Sequence, residues 1–267
     1  MTALADFDAL RAAVTTPAAV VFVLKASPDA VPETTGLQSW WFATDSYPAP
    51  GVAPTTAAAC DSSTVGGLPH PGVDSRLVSA TISRVVTGGW VSPVCLLVDR
   101  LSHQGGLSGN VTGAQTTNLP TAALTRYTDG VGVMVGLEVY SDLGSTNTTV
   151  TVSYTNTADV AGRAGTIAFI DTPFDPAFYP MPLQSGDLGV KSVESVSLAG
   201  GTGAVGNFGM TIYKPLCLFG GGPDLHEDVP IICGWNTDIL AGACLQILGL
   251  STGSAPDLNA VLAFSEA

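Results

Sequence analysis

Alternation of apolar and polar residues is the clearest pattern in the chain. Between Val131 and Tyr140, valine and leucine occupy the odd positions, whereas Gly132, Gly136 and Glu138 lie among the even ones. A period of two predicts a strand with one buried face. Glycines on the other face indicate close approach by another strand or another chain.

The alternation resumes after a short polar break. Val150, Val152 and Tyr154 alternate with threonine and serine, and the segment Asp142–Ser145 has the composition of a turn. The pattern predicts a β-hairpin over Arg126–Asn156.

A second strand pair is predicted over Gly189–Ile212. The alternation from Gly189 to Leu198 slips near Ser192, which is typical of a β-bulge. Ala199–Asn207 is rich in glycine and resembles a phosphate loop, but it lacks a Gly-Lys-Ser/Thr ending and lies between predicted strands. A hairpin turn is therefore the favoured interpretation.

Several shorter apolar runs predict further strands, and β-branched residues favour a strand over a helix for Leu77–Val86. Residues Asp99–Asn110 are interpreted as a loop. Evenly spaced strands with turn signals predict an all-β fold with a sandwich, jelly-roll or barrel-like core. The other predicted strands are Ala18–Leu24, Ser39–Ala43, Trp90–Val98, Ile231–Trp235, Ala243–Leu250 and Leu258–Phe264.

The N-terminal third departs from this alternation. Residues 2–14 have apolar positions at helical spacing and predict a short amphipathic helix. Residues 28–72 are rich in proline, threonine and glycine, which predicts long loops and extended arms. We expect three segments, 1–27, 28–75 and a main β domain 76–267, or else one continuous domain 1–267.

Charge narrows the possible functions. Charged residues make up only 12% of the chain, and the formal net charge is −13. The few Lys and Arg residues are scattered, which argues against direct binding to nucleic acid or anionic membranes. The chain shows neither a signal peptide nor a transmembrane run of about 18 apolar residues, so we expect it to stay in the cytoplasm where it is made.

Candidate catalytic groups are sparse. Asp99, Arg100 and His103 could mimic part of a hydrolytic triad, but a structural ion pair is the favoured interpretation because no Gly-x-Ser-x-Gly elbow occurs. His226, Glu227 and Asp228 could hold a metal, although a solvated loop is favoured.

Other polar residues lie near predicted loops. Paired catalytic carboxylates remain open, but each candidate alone is more typical of a turn. Asn110 and Asn147 begin glycosylation-like triplets, which we interpret as chance matches. The five cysteines suggest buried thiols without a disulfide or metal role. The candidate carboxylates are Asp171, Asp175, Asp187 and Asp224, and the cysteines are Cys60, Cys95, Cys217, Cys233 and Cys244.

Three adjacent aromatic residues, Trp40, Trp41 and Phe42, lie within the proline-rich segment. Core packing is the simpler explanation for them. The alternative is that they are subunit-contact anchors, since aromatic residues are enriched at interface hot spots.

Four segments resemble virion proteins of tailed bacteriophages. They are L-V-D-R-L-S-H-Q-G-G-L-S-G, R-Y-T-D-G-V-G-V, P-L-Q-S-G-D-L-G-V-K-S-V and G-A-V-G-N-F-G-M-T-I, between about Val98 and Ile212. The resemblance implies a head component present in many copies, such as a capsid decoration (cement) protein or a minor capsid protein. It implies no catalytic residues and no cofactor.

We therefore expect a non-enzymatic virion protein that contacts the major capsid protein or other virion proteins. A homo-oligomer is expected, with a trimer favoured, and no direct contact with nucleic acid or membrane. Two alternatives stay open. One is a carbohydrate- or receptor-binding module of a tail or fibre, and the other is a hydrolase with an unrecognised site.

Overall fold

The computed structural model describes residues 19–25, 36–41, 47–85, 94–169, 173–220, 237–251 and 257–266, which contain antiparallel strands and no helix. The predicted all-β class is therefore confirmed, and the helix expected at 2–14 lies outside the described residues. The strands are β1 (Ala19–Lys25), β2 (Gly36–Ser39), β3 (Ala58–Ala59), β4 (Ser75–Val85), β5 (Val94–Leu107), β6 (Gln115–Leu119), β7 (Met134–Ser141), β8 (Thr148–Asn156), β9 (Arg163–Phe169), β10 (Phe178–Pro180), β11 (Val190–Leu198), β12 (Asn207–Gly220), β13 (Asp238–Ile239), β14 (Leu245–Ser251) and β15 (Asp257–Glu266).

The chain separates into two compact units. Unit 1 comprises residues 1–52, 61–99 and 216–267, and unit 2 comprises residues 53–60 and 100–215. Two long strands belong to both units, because β5 crosses the boundary after Asp99 and β12 crosses it after Pro215. Residues 100–215, which form most of unit 2, are thus inserted between the parts of β5 and β12 that belong to unit 1.

Unit 2 has the strand order of a jelly roll. Four neighbouring strands of a seven-stranded sheet have the order β10-β7-β12-β5, and a four-stranded sheet has the order β6-β11-β8-β9. The strands of the unit pair from the two ends of its sequence inwards. The first strand pairs with the last, the second with the second-last, and so on: β5 with β12, β6 with β11, β7 with β10, and β8 with β9. A long folded-back ribbon rolled into two sheets is the jelly-roll arrangement.

Unit 1 repeats the same topology with strands taken from both ends of the chain. It has a four-stranded sheet of order β1-β15-β4-β13, and its other strands, in the order β12-β5-β14-β2, belong to the seven-stranded sheet. The ribbon pairs are β1 with β15, β2 with β14, β4 with β13, and β5 with β12. The two units therefore have the same strand order, and one is nested within the sequence of the other.

Each unit encloses its own apolar core. In unit 2, inward residues of both sheets meet, among them Val152 of β8 and Met210 of β12, both fully buried. In unit 1, Leu262 of β15 and Leu97 of β5 belong to a separate cluster. Alternate residues of β8 face the core of unit 2, as expected for sheets packed face to face.

The predicted hairpin over Arg126–Asn156 is wrong, although both of its strands exist. β7 pairs with β10 and β12, whereas β8 pairs with β9 and β11 in the other sheet. The predicted pair over Gly189–Ile212 fails in the same way, because β11 and β12 lie in different sheets. Consecutive strands of a jelly roll commonly cross between its sheets, and alternation alone does not identify a strand's partner.

The loop predicted at Asp99–Asn110 is also wrong, since β5 continues to Leu107. Asp99, Arg100, Ser102 and His103 are buried instead of facing solvent. The expected strand at Ser39–Ala43 is corrected too, because β2 ends at Ser39 and Trp40 and Trp41 form a turn.

Other local predictions are confirmed. Leu77–Val86 corresponds to β4, and register shifts flank Ser192 in β11, as the broken alternation indicated. The approach predicted at the glycines of β7 is made by β10, because a Cβ at Gly136 would overlap the ring of Phe178. The strand predicted at Ile231–Trp235 lies outside the described residues.

Candidate functional site

A buried ion pair lies inside unit 2. Arg100 of β5 and Glu138 of β7 have fully buried side chains, and Arg100 Nη1 lies 2.7 Å from Glu138 Oε2. The same carboxylate oxygen accepts hydrogen bonds from Tyr140 Oη at 3.1 Å and Thr211 Oγ1 at 2.8 Å. Three strands thus supply donors to one carboxylate, which compensates for the cost of removing its charge from water.

The Nε and Nη2 atoms of Arg100 also have polar partners. Its Nε donates to His103 Nδ1 at 3.0 Å, and its Nη2 lies 3.4 Å from Tyr140 Oη. Arg126 extends the network by donating from Nη2 to the carbonyl oxygens of Cys60 at 2.9 Å and Arg100 at 3.3 Å. We call Arg100, His103, Arg126, Glu138, Tyr140 and Thr211 the buried polar network.

Burial raises the pKa of Tyr140 well above its usual range, and the negative charge of Glu138 raises it further. Tyr140 therefore stays protonated and remains a donor to Glu138 throughout the physiological pH range. The group combines a base, an acid and two hydroxyls, yet the side chains of Arg100 and Glu138 have no exposed surface. A substrate cannot reach them in this conformation, so the geometry fits a structural role.

Asp99, Arg100 and His103 are the residues that could mimic part of a hydrolytic triad, with an ion pair between Asp99 and Arg100 as the favoured interpretation. Asp99 Oδ1 accepts a hydrogen bond from the Cys244 amide at 2.9 Å, within unit 1. The ion pair that the structure shows joins Arg100 to Glu138, 38 positions further along the chain. One feature of the sequence could have indicated this partner: Glu138 is the single charged residue of the strand M-V-G-L-E-V-Y-S.

A second charge cluster lies in unit 2 around Asp187. Its carboxylate accepts hydrogen bonds from Tyr154 Oη at 2.6 Å, Asn156 Nδ2 at 2.7 Å and Arg163 Nε at 2.9 Å. These contacts, with Arg163 first, lower the pKa of Asp187 to about 2. Burial raises the pKa of Tyr154, and the hydrogen bond to Asp187 adds to that rise. The cluster joins β8 and β9 to the loop before β11.

Asp175 is the other candidate carboxylate within the described residues. Asp175 lies in a turn, as expected, where its amide donates to Asp142 Oδ1 at 2.9 Å. Asp171, Asp224 and the cluster His226, Glu227 and Asp228 lie outside the described residues. Within the described ranges, no group of three or more His, Cys, Asp and Glu side chains is placed to hold a metal ion.

The glycine-rich segment Ala199–Asn207 is not a hairpin turn, because it connects β11 to β12 across the two sheets of unit 2. Thr202 anchors it. The Thr202 amide donates to the Gly109 carbonyl at 2.8 Å, and its hydroxyl accepts from the Gly144 amide at 3.1 Å. Three connecting loops therefore meet at one end of unit 2.

Trp40 and Trp41 are buried within unit 1, with 5% and 1% of their surfaces exposed. A Cβ at Gly51 would overlap the indole of Trp41, and one at Gly249 would overlap that of Trp40. This environment fits the core-packing alternative. The proposed role as subunit anchors stays a prediction, and Phe42 lies outside the described residues.

Exposed apolar side chains occur on outer sheet faces of unit 1. Val20 and Phe22 of β1 are 46% and 66% exposed, whereas the alternate residues Val21 and Val23 face the core. On the other sheet, Leu218 of β12 is 62% exposed and Val94 of β5 is 38% exposed. We call Val20, Phe22, Val94 and Leu218 the apolar outer residues.

The outer face of one unit 2 sheet has a different chemistry. Thr149, Thr151 and Ser153 of β8 alternate with buried residues and point outwards. Thr151 lies opposite Thr166 of β9 and Ser197 of β11, and Ser153 lies opposite Ser195. We define the hydroxyl face as Thr149, Thr151, Ser153, Thr166, Ser195 and Ser197.

The four cysteines within the described residues, Cys60, Cys95, Cys217 and Cys244, are buried thiols, as expected. Among the strands and loops that the structure describes, we find no helix long and apolar enough to cross a membrane. Comparison of the chain with protein-family models, with curated proteins and with solved structures found no match.

Proposed function

We propose that the chain is a non-enzymatic structural component of a tailed-phage virion. Within the virion, we favour the role of a capsid decoration (cement) protein or a minor capsid protein that stabilises the head through many protein–protein contacts. The observation that carries this proposal is the exposure of Phe22 and Leu218 on outer sheet faces. Contiguous exposed apolar side chains mark protein-contact surfaces, and Val20 lies beside Phe22 on the exposed face of β1.

Charge supports the same conclusion. With a net charge of −13, copies of the chain repel one another wherever acidic surfaces meet. The stretch from Ala19 to Leu24 has no charged residue, so β1 offers a surface where this repulsion is smallest. The partner would be the major capsid protein or another virion protein, with a homotrimer as the expected state of the chain itself.

The strand order adds a fold-level analogy. Jelly rolls occur in viral capsid proteins, and they also occur in lectins and cupins. The analogy is compatible with a virion role but does not select it, because one fold serves many functions. The resemblance of the four sequence segments to phage virion proteins supplies the narrower expectation.

The alternatives receive less support. A carbohydrate-binding module with an aromatic cleft would need exposed tryptophans, and Trp40 and Trp41 are buried. Trp90 and Trp235 lie outside the described residues. A hydrolase built on His103 would need access to a buried network in which Arg100 and Glu138 are sealed from solvent.

Co-sedimentation with intact virions tests the proposal. We expect the wild-type chain to sediment with the particles and to form a homo-oligomer measurable by light scattering. Phe22→Glu with Leu218→Glu should abolish sedimentation, because burying two carboxylates without partners is unfavourable. Val205→Glu is the matched control, since Val205 is also 62% exposed but lies in unit 2. A wild-type chain that remains in the supernatant as a monomer would refute the proposal.

A further inference from the structure

A shallow hollow of about 480 Å³ opens at one end of the hydroxyl face in unit 2. It lies where the last described part of β9 and the first part of β8 meet the segment after β11. Its volume is within the range of small-molecule sites in proteins, roughly 300–1,000 Å³. The residues that line it are Asn147, Thr148, Thr149, Ala168, Phe169, Ala199 and Gly200.

The walls of the hollow are held in place by hydrogen bonds. Thr149 lies opposite Ala168 in the β8–β9 ladder, and the Thr149 carbonyl accepts from the Ala199 amide at 2.9 Å. The Thr148 hydroxyl accepts from the Gly200 amide at 2.9 Å. A preformed site binds its ligand without the entropy cost of ordering loops.

The lining combines polar and apolar groups and carries no charged side chain. Asn147 and Thr149 are exposed and supply amide and hydroxyl groups, whereas Ala168, Ala199 and Gly200 keep the hollow open. Fully buried Phe169 contributes to its floor. Such a lining suits a neutral ligand with many hydroxyl groups, since it offers donors and acceptors without an ion that would need a counter-charge.

The hollow is continuous with the hydroxyl face. Thr151 follows Thr149 on the same side of β8, and its neighbours across the ladders are Thr166 and Ser197. Hydroxyl groups therefore repeat about every 7 Å along a strand and about every 5 Å between strands. This array is long enough to contact more than one ring of an extended chain.

The carboxylate of Glu194, a negative charge on this sheet, already accepts several hydrogen bonds. Glu194 accepts hydrogen bonds from the hydroxyls of Ser153 at 3.1 Å, Thr155 at 2.5 Å and Ser192 at 3.2 Å. Its negative charge disfavours acidic ligands near the face, while its occupied oxygens leave it little capacity to bind a cation.

We propose that the hollow and the adjoining hydroxyl face bind a neutral oligosaccharide. Recognition would rest on hydrogen bonds from Asn147, Thr149, Thr151 and Thr166, without an exposed aromatic ring from the described lining. Because each bond between neutral groups contributes little in water, the affinity of one site should be low, in the millimolar range. This proposal does not depend on a place in a virion.

Saturation-transfer NMR and calorimetry on the full chain test the proposal. The probes are maltohexaose, cellohexaose, laminarihexaose, chitohexaose and xylohexaose, with hexagalacturonate as the acidic comparison. We expect at least one neutral hexamer to bind at millimolar concentration and hexagalacturonate to bind more weakly. Binding by none of the neutral hexamers, or stronger binding of hexagalacturonate, would overturn the proposal.

Two variants locate the site. Ala168→Trp should fill the hollow and abolish binding, and Thr151→Val with Thr166→Val should weaken it about tenfold by removing two hydroxyls while keeping β-branched side chains. Thr121→Val, an exposed loop change outside the face, is the control. Each variant's melting temperature checks that it is folded. Unchanged affinity in folded Ala168→Trp would refute this location.

Discussion

The two units of the chain share one strand order but differ inside and outside. Unit 2 buries the Arg100–Glu138 ion pair, whereas the buried polar side chains described in unit 1 are amides and hydroxyls together with Asp99. Outer residues of unit 1 include exposed Phe22 and Leu218, while the outer face of β8, β9 and β11 carries threonine and serine. Topology therefore does not determine the chemistry of either unit, and each unit's function must be argued from its own side chains.

The difference also suggests that the two units make different kinds of contact. The apolar outer residues of unit 1 suit contacts that exclude water, and the hydroxyl face of unit 2 suits contacts that remain hydrated. In the proposed virion role, unit 1 would supply assembly contacts and unit 2 would present its hydroxyl face to solvent. Substitutions that distinguish the two units test this comparison.

The largest effect is expected in the core of unit 2. Glu138→Ala leaves Arg100 buried without its carboxylate and should lower the free energy of unfolding by about 3–5 kcal/mol. The double variant Arg100→Met with Glu138→Leu removes both charges and should be less destabilising than Glu138→Ala. Urea denaturation measures both changes. A double variant less stable than Glu138→Ala would show that the network stabilises the unit beyond satisfying its own charges.

A cavity in unit 1 should have the next largest effect. Leu262→Ala removes a fully buried side chain from that core and should cost about 2–5 kcal/mol. Because the two cores consist of separate residue clusters, amide hydrogen exchange should accelerate more in β4 and β15 than in β8 and β9. Equal acceleration in both sets of strands would show that the units unfold as one.

A smaller loss of stability is expected at Gly51, where the absence of a side chain leaves space for the ring of Trp41. Gly51→Ala places a methyl group in the space of the Trp41 indole and should destabilise unit 1 by about 1–3 kcal/mol. Gly113→Ala in unit 2 is the matched control, because a Cβ there meets no atom within 4 Å. Thermal unfolding monitored by tryptophan fluorescence compares them. Equal melting temperatures would mean that the Trp41 site is more adaptable than its packing indicates.

The sequence predicted most strands but not their partners. Period-two alternation in β8 identifies which residues face a core, and those residues are buried. In β7 the predicted core residues are buried, but so are the alternate residues Gly136, Glu138 and Tyr140. Pairing in a nested jelly roll joins β1 to β15, from opposite ends of the chain. Local patterns carry no information about such distant neighbours, so the two predicted hairpins were wrong although their strands were right.

Charged residues misled the prediction for a related reason. Asp99, Arg100 and His103 indicated a solvent-facing loop because charges are normally exposed. Burial of Arg100 becomes favourable through Glu138 and Tyr140, which lie on a strand that cannot be recognised as a neighbour from sequence. The hydroxyl face was missed as a surface because its rows come from three strands, although the alternation of threonine and serine in β8 and β11 was visible.

The smallest effect concerns the Asp187 cluster in unit 2, which stabilises the fold at neutral pH and loses that contribution only in acid. Its folded pKa of about 2 lies below the usual value near 3.9 for an unfolded chain. Its stabilisation is therefore complete above about pH 4 and is lost as the pH falls through 2. Asp187→Asn should lower stability at neutral pH, and the difference from wild type should shrink between pH 4 and pH 2. Urea midpoints measured across this range provide the test, with Asp129→Asn, an exposed loop acid, as control. A difference that stays constant with pH would show that the carboxylate's hydrogen bonds, and not its charge, supply the stabilisation.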